Sequence, residues 1–455
     1  MKTIANLALE LSRGTTTSRT LVERCLEKIA NPAGEGSRAF LKVHATTARA
    51  AADYHDRMRE AGAPVSPWAG IPVSIKDLFD IRGDVTTAGS KVLRNQPVAT
   101  VDAPAVARLR AAGLIPIGRT NMTEFAYSGL GLNPHFGTPL NPFEKAVRRI
   151  PGGSSSGAAV SIAEQMAYGA LGTDTGGSCR IPAAFCGIVG FKPTAARLPL
   201  AGTVPLSQSL DSVGPLAASV ECCAILDAIL ASEPRASLKS AEVRGLRFAV
   251  PQAYVLDEVD PHVAQSFQQA LSTLSAAKAH IEEIPLTELN ELPQINRKGG
   301  FPAAEAYTFH RERLKSEADQ YDPRVSVRIL RGRDQSAADY IELVAARRDL
   351  CLRTDQRLAC FDAVLMPTTP MVAPTFASLE SDADYGRLNL LALRNPTLTN
   401  FLDRCAVSIP CQEPGTAPVG LTLMGDRGDD RRLLSVAAAV EALVSTTILH
   451  VGSQQ

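Results

Sequence analysis

Residues 150–193 read IPGGSSSGAAVSIAEQMAYGALGTDTGGSCRIPAAFCGIVGFKP, and they carry the strongest indications of both fold and chemistry. Two clusters rich in glycine and serine lie in this stretch, at residues 152–157 and at residues 175–178. The small apolar residues 158–165 predict a buried helix between the clusters, and residues 167–172 predict a short strand. A helix followed by a strand would bring both clusters to one end of a sheet.

Short apolar runs bounded by turn residues continue the pattern on both sides of this stretch. Further strands are predicted at residues 70–76, 114–118, 361–366 and 419–424. Further helices are predicted at residues 102–112 and 430–448. Strands that alternate with helices in this way indicate an α/β sheet.

The composition of the chain excludes some classes of partner. Its 455 residues include 47 Lys and Arg against 47 Asp and Glu, so the formal net charge is zero. A neutral chain has no general attraction for nucleic acid or for anionic membranes. Aromatic residues make up only 5%, which argues against a stacking surface for single-stranded nucleic acid. Composition therefore favours a small-molecule enzyme or a neutral binding protein, without distinguishing the two.

The nine cysteines are odd in number, and none of them forms a C-x-x-C pair. This argues against a disulfide framework and a cysteine-based zinc site, and favours buried thiols in a reducing cytosol. The seven histidines have no metal-ligand partner four positions along the chain. No apolar run is long enough to span a bilayer, and residues 1–14 do not resemble a signal peptide. We therefore expect a cytoplasmic protein that needs no metal ion or other cofactor.

Four interpretations of the two glycine-serine clusters compete. A phosphate-binding loop is disfavoured because no G-K-[ST] follows the glycines. A nucleophile elbow centred on Ser155 matches G-x-S-x-G, but that motif needs a strand directly before it. Residues 144–151 occupy that place, and they are charged and contain a final proline. Tight turns with helix-capping serines are a purely structural alternative.

The fourth interpretation is a serine nucleophile with an unusual base. Gly176, Gly177 and Ser178 can aim consecutive backbone N–H groups at one developing oxyanion, because glycine-rich backbone permits that approach. A lysine that loses its charge through burial is a competent base. Lys76 follows the apolar run 71–75 at a predicted strand end. A lysine at such a place either extends outward to solvent or takes part in catalysis.

The order and length of several motifs resemble the amidase signature family, over most of the chain. The motifs are GIPVSIKDLFD (70–80), PGGSSSGAA (151–159), GTDTGGSCRIPAAFCGIVGFKPT (172–194), TVPLSQSLDSVGPLA (203–217), FDAVLMPTTP (361–370) and PVGLTLMGDRGDD (418–430). The resemblance implies an α/β fold of the amidase signature type, an α/β/α sandwich around a large mixed β-sheet. Residues 1–455 would then form a single domain. We expect an N-terminal helical segment at residues 1–63, and a helical layer or lid over the active site at residues 286–358.

The resemblance also implies a catalytic triad. Ser178 would be the nucleophile, Ser154 the bridging serine and Lys76 the base. Ser154 would lie on a cis peptide bond with Gly153. The backbone N–H groups expected to form the oxyanion hole are those of Thr175, Gly176, Gly177 and Ser178. The side chains expected to hold this loop are those of Asp174, Arg180 and Ser156.

Loops and helices around this shared machinery are expected to select the substrate. The candidates for the pocket wall are Met122, Phe125, Tyr127, Leu130, Ile181 and Gln208. The five apolar or aromatic members of this set would favour an apolar or aromatic substrate group. The alternative for several of them is a place in the hydrophobic core, which one sequence does not distinguish from a pocket.

Together these features predict a hydrolase that cleaves the C–N bond of small uncharged amides, or of anilides or carbamates, through a seryl acyl-enzyme. One alternative is the glutaminase subunit of a tRNA-dependent amidotransferase. An alternative of another class is a non-catalytic binding protein on the same fold, which is disfavoured because no member of the triad is missing. The expected partner is a small amide, with neither nucleic acid nor membrane, and a homodimer is left open.

Overall fold

One mixed sheet of eleven strands crosses the computed structural model, which describes residues 1–233 and 238–451. Its order is β1-β3-β2-β4-β6-β5-β10-β11-β9-β7-β8. The strands are β1 (Phe40–Val43), β2 (Pro72–Lys76), β3 (Ile115–Thr120), β4 (Gly169–Asp174), β5 (Val189–Lys192), β6 (Ser212–Ala217), β7 (Arg247–Pro251), β8 (His280–Ile284), β9 (Ala363–Pro367), β10 (Ala406–Pro410) and β11 (Gly420–Met424). The sheet is mixed, because β2 runs parallel to β3 and β4 whereas β4 and β6 are antiparallel.

Helices cover both faces of this sheet. They are α1 (Ile4–Ser12), α2 (Ser18–Ala30), α3 (Gly36–Ala39), α4 (Ala45–Glu60), α5 (Pro104–Ala111), α6 (Ser156–Ala163), α7 (Arg180–Cys186), α8 (Val220–Leu230), α9 (Pro261–Ala276), α10 (Leu292–Ile295), α11 (Gly300–His310), α12 (Pro323–Leu330), α13 (Ala337–Leu358), α14 (Asp382–Phe401) and α15 (Asp430–Val451). Every residue of β2, β3, β4, β6, β9 and β11 is buried. Since successive side chains of a strand point to opposite faces, both faces are covered. The predicted α/β/α sandwich around a large mixed sheet is confirmed.

Two neighbouring strands, β2 and β4, bring the predicted site together. They pair in parallel, so their carboxyl ends lie side by side at the same end of the sheet. Lys76 is the last residue of β2 and Asp174 the last residue of β4. The second glycine-serine cluster follows β4 directly, and the first leads into α6, which begins at Ser156. A hydrogen bond of 3.3 Å from Ser155 N–H to Ser178 O joins the two clusters, as their predicted meeting at one end of a sheet requires.

Of the two segments predicted to be helical, residues 1–63 contain a strand besides their helices, and residues 286–358 contain helices and turns. Residues 1–63 contain α1 to α4, but they also contain β1, which pairs antiparallel with β3 at the edge of the sheet. Residues 286–358 contain α10 to α13 and several short 3₁₀ turns. Within the part of the chain that the structure describes, no helix is both long and apolar enough to cross a membrane.

Candidate active site

Lys76 ends β2 inside the protein, with its side chain fully buried. Its Nζ donates hydrogen bonds to Ser154 Oγ at 2.8 Å and to Thr173 Oγ1 at 2.9 Å. Burial lowers the pKa of Lys76 to about 8, because a charged amine is unfavourable away from water. An amine with this pKa is partly neutral near pH 8 and mostly neutral above it, so it can accept a proton there.

Ser154 is held by its backbone. The peptide bond between Gly153 and Ser154 is cis. The Gly153 N–H donates to Gly129 O at 2.8 Å, and the Ser154 carbonyl accepts from the Thr123 N–H at 3.1 Å. A β-carbon on Gly153 would lie 2.6 Å from Gly131 N, so the close approach of these two segments requires glycine. These contacts fix where Ser154 presents its hydroxyl.

Ser178 lies beside this pair at the end of the second glycine-serine cluster, and only 3% of its surface is exposed. Its carbonyl accepts the hydrogen bond from Ser155, the residue after Ser154. The Ser178 hydroxyl has no hydrogen-bond partner among the described residues. The structure therefore joins Lys76 to Ser154 directly, whereas the Ser178 hydroxyl is joined to neither of them among the described residues.

The loop after β4 offers free backbone donors. The N–H groups of Thr175, Gly176 and Ser178 have no acceptor within residues 1–233 and 238–451. The Gly177 N–H instead donates to Asp174 Oδ1 at 2.7 Å. Gly177 has a φ of 121°, which side chains other than hydrogen rarely permit. Three of the four expected oxyanion donors are thus free, whereas Gly177 forms the turn that presents them.

A buried ion pair supports this loop. Arg180 Nη2 lies 2.9 Å from Asp174 Oδ1, and both side chains are fully buried. Burial raises the pKa of Asp174, but the charge and hydrogen bonds of Arg180 outweigh burial and bring this pKa to about 2. Asp174 Oδ2 also accepts from the Cys179 N–H at 3.1 Å. An ionised Asp174 therefore fixes the backbone on either side of Ser178.

Helix α14 supplies contacts that the sequence analysis did not identify. Asn400 Nδ2 donates to Asp174 O at 2.9 Å, and Asn400 Oδ1 accepts from Arg180 Nη2 at 2.7 Å. Arg180 also donates to Thr399 Oγ1 at 3.2 Å and to Pro396 O at 3.0 Å. These partners lie more than 200 residues from Arg180, and no motif connects them.

The contacts of Thr173 and Ser156 differ from those that the sequence analysis predicted. Thr173, the second partner of Lys76, was not identified, although it stands directly before Asp174 inside the GTDTGG motif. Ser156 begins α6 with its side chain buried, and its Oγ has no partner among the described residues. The structure therefore assigns a contact with the base to Thr173, and shows no contact of the Ser156 hydroxyl with the loop.

Four of the candidate pocket residues are buried in two apolar clusters. Met122 and Phe125 belong to the main hydrophobic core. Leu130 and Ile181 belong to a separate cluster beside the loop. A β-carbon on Gly177 would lie 2.7 Å from Ile181 Cδ1, so Ile181 packs directly against the turn that precedes Ser178. The structure thus places Ile181 against this turn with Leu130 in the same cluster, whereas Met122 and Phe125 pack in the main core.

The other two candidates are less buried. Tyr127 is half-buried in the loop after β3, whereas Gln208 is exposed. The residues on either side of Gln208 bind α11: Ser207 Oγ donates to Glu305 Oε2 at 2.6 Å, and the Ser209 N–H donates to the same oxygen at 3.0 Å. The structure places Gln208 at the surface, apart from the other candidates.

The helical stretch 286–358 is bound to the site at Glu124, whose side chain is fully buried. Glu124 Oε1 accepts from Ser90 Oγ at 2.6 Å and lies 2.7 Å from His135 Nε2. Glu124 Oε2 accepts from the Asp322 N–H at 2.7 Å. Because Asp322 caps the N-terminus of α12, this helix begins against the loop that carries the candidate pocket residues.

Comparison with known proteins gives the family. The family model described as Amidase matches residues 20–434. A relative from Comamonas testosteroni, 2-amino-5-chloromuconic acid deaminase, is 35% identical over 444 residues, covering 97% of this chain and 96% of the relative. A glutamyl-tRNA(Gln) amidotransferase subunit from Roseiflexus sp. (strain RS-1) is 34% identical over 476 residues, covering 96% of each chain.

The fold agrees with this match. A crystal structure of an amidase aligns with a TM-score of 0.87 at 32% sequence identity, covering 97% of this chain and 99% of that one. The matched residues include every motif on which the resemblance rests, from the lysine strand to the last internal strand. The chain therefore belongs to the amidase signature family of amide-hydrolysing enzymes.

Proposed function

We propose that this protein cleaves the C–N bond of a small amide through a seryl acyl-enzyme, with Lys76, Ser154 and Ser178 as the reacting groups. The observation that carries the proposal is the hydrogen bond of 2.8 Å from the buried Lys76 Nζ to Ser154 Oγ. It connects a lysine whose pKa burial lowers to about 8 with Ser154, and the next residue, Ser155, is hydrogen-bonded through its backbone to Ser178. A neutral amine bonded to a hydroxyl in this way can draw a proton from a nucleophile.

In the first half-reaction, neutral Lys76 accepts the proton of Ser154 while Ser154 accepts the proton of Ser178. Ser178 Oγ bonds to the carbonyl carbon of the substrate, and the carbonyl oxygen gains negative charge. The free N–H groups of Thr175, Gly176 and Ser178 donate to that oxygen. Donors that are already in place stabilise the transition state, because they need no reorganisation as the charge develops.

The amine must be protonated before it leaves, since an amide anion is far too basic to depart. Ser154 gives it a proton as the C–N bond breaks, and Lys76 returns a proton to Ser154. Water then attacks the ester on Ser178, the same two groups accept its proton, and Ser178 leaves with its hydroxyl restored. Small amides, anilides and carbamates all present the neutral carbonyl that this sequence of steps requires.

Ammonia or amine release by the purified chain tests this proposal, across amides, anilides, carbamates and ureas of graded size. Turnover by the chain alone supports a free-standing amidase. Turnover that requires a partner chain would instead support a glutaminase subunit, the second candidate suggested by the similarity to the Roseiflexus protein. The Comamonas testosteroni relative suggests adding an amino-substituted muconic acid to the same screen.

The pH dependence of the reaction follows from the base. Below about pH 8 Lys76 is mostly protonated and accepts no proton, so kcat/KM is expected to rise with pH and to level off above that value. The measurement is kcat/KM for a neutral amide, whose own charge does not change over the range. A flat profile, or a fall through the same range, would exclude a neutral lysine as the base.

A further inference from the structure

Asp211 is a buried carboxylate that the proposed reaction does not use. It directly precedes β6, and the antiparallel pairing of β4 with β6 sets Asp174 opposite Ser212. The next pair along this register is Thr175 and Asp211. The Thr175 hydroxyl donates a hydrogen bond to Asp211 Oδ1. The register of the sheet thus places an acid beside the first of the free oxyanion donors.

This contact is the one hydrogen bond that holds Thr175. Among the described residues, the backbone N–H and carbonyl of Thr175 have no partner, and its hydroxyl has Asp211 alone. The next residue differs, because the Gly176 carbonyl accepts from Thr397 Oγ1 at 3.3 Å. The direction of the Thr175 N–H therefore depends on a single side-chain contact.

The Asp211 carboxylate is held from its other side by backbone. Its Oδ2 accepts from the N–H groups of Leu206 at 3.0 Å and Ser207 at 3.1 Å. The Ser207 hydroxyl in turn donates to Glu305 on α11. In the part of the chain that the structure describes, no cation lies within 4.0 Å of Asp211. Neutral donors therefore hold this carboxylate in one orientation, in which one oxygen faces Thr175.

The charge of Asp211 agrees with these contacts. Burial raises the pKa of Asp211 to about 6, although the hydrogen bonds from Thr175, Leu206 and Ser207 oppose this rise. The carboxyl group is therefore mostly ionised near pH 8, where Lys76 becomes neutral. An ionised carboxylate accepts hydrogen bonds and donates none, as the donors around it require.

We propose that Asp211 is a positioning residue of the oxyanion hole, which holds the Thr175 hydroxyl so that the Thr175 N–H faces the developing charge. The proposal rests on the amidase activity proposed above and deepens it, since it assigns the support of one donor. Loss of a whole oxyanion donor lowers kcat by about 10²-fold to 10³-fold. A donor that is present but badly aimed should have a smaller effect of the same kind.

Thr175→Val tests the contact, because it removes the hydroxyl and keeps the shape of the side chain. It is expected to lower kcat for a primary amide by about 10-fold to 100-fold, and to change KM by less than about threefold. Thr175→Ser keeps the hydroxyl and should recover most of the loss. Equal losses in the two variants, or a loss confined to KM, would overturn the proposal.

Asp211→Ala tests the same contact from the other end. It also leaves two N–H groups without an acceptor, so some loss of stability is expected. Thr175→Val should lower kcat little further when Asp211 is already alanine, since both changes remove one contact. Independent, multiplicative losses in the double variant would show that the two side chains act separately, and the proposal would be wrong.

Asp227→Ala is the matched control for the loss of a buried carboxylate. Asp227 lies on α8, burial raises its pKa to about 6, and it pairs with Arg197 at 2.7 Å. The control should lower the midpoint of thermal unfolding and leave kcat unchanged. A fall of kcat as large as in Asp211→Ala would assign the effect to stability and contradict a positioning role.

Deuterium uptake by residues 173–178 gives a readout that does not need turnover. Thr175→Val is expected to speed exchange in this loop and Thr175→Ser to restore the wild-type rate, while uptake by β10 stays unchanged. This result would support the role of Asp211 even if the proposed amidase reaction fails. Unchanged uptake by the loop in Thr175→Val and Asp211→Ala would overturn it.

Discussion

Replacing Ser178 with alanine is expected to lower kcat/KM by about 10⁴-fold or more, since the attacking oxygen is removed. The fold should be unaffected, because the Ser178 hydroxyl makes no hydrogen bond to any residue that the structure describes. Ammonia release from a primary amide measures the first effect, and the midpoint of thermal unfolding measures the second. Loss of activity together with a large fall in this midpoint would leave no evidence for a chemical role of the hydroxyl.

Ser155→Ala is the control for this variant, since Ser155 is the centre of the G-x-S-x-G match. Among the residues that the structure describes, its Oγ donates only to Thr173 O, at 3.4 Å, so kcat/KM should stay within about tenfold of wild type. A sulfonyl fluoride probe, which bonds covalently to an activated serine, should label Ser178 in wild type and no residue in Ser178→Ala. Labelling of Ser155, or turnover by Ser178→Ala, would contradict the proposed nucleophile.

Lys76→Met is expected to lower kcat/KM by about 10²-fold to 10⁴-fold, the usual contribution of a general base. Methionine fills much of the same volume but accepts no proton. The variant should also lose the rise of kcat/KM with pH, because the group that titrates near pH 8 is absent. The measurement is the pH profile of wild type and variant on one neutral amide. An unchanged profile in the variant would assign the titration to another group.

Lys192→Met provides the matched control for the base. Lys192 is also fully buried, and burial lowers its pKa to about 8. Its Nζ donates to Pro193 O at 2.7 Å and to Arg404 O at 2.9 Å, away from the serines. The variant leaves two carbonyls without a donor, so the free energy of unfolding should fall by about 1–3 kcal/mol. The rise of kcat/KM with pH should persist.

The elements that were predictable from the sequence are the ones with an uninterrupted local pattern. The strands β2 and β3 and the helix α15 were each indicated by an apolar run or by a periodic apolar face. The strand β6 was not predicted, because Gly214 and Pro215 within it are typical of turns. The strand β1 was not predicted either, since its four residues lie between helices and at the edge of the sheet.

Some contacts of the candidate site were also predictable from local motifs, whereas others depend on how distant elements pack. Lys76 and Ser154 stand in motifs that the resemblance covers, so their contact could be anticipated. The bonds from Asn400 to Asp174 could not, because they join residues 226 positions apart through the packing of α14. The hydrogen bond from the Gly177 N–H to Asp174 could not be predicted either, since it depends on the local dihedral angles and not on residue type.

The central position of β2 and β4 in the sheet determines how slowly their amide hydrogens exchange with solvent. Both strands have a neighbouring strand on each side, and all their residues are buried. Their amide hydrogens exchange with solvent only when the sheet itself opens, whereas α12 lies outside the sheet and buries only Val325 and Ile329 of its eight residues. Deuterium should therefore enter α12 well before β2 and β4. Lys76, the last residue of β2, should then keep its position in the slowest-exchanging part of the chain while helices outside the sheet open locally.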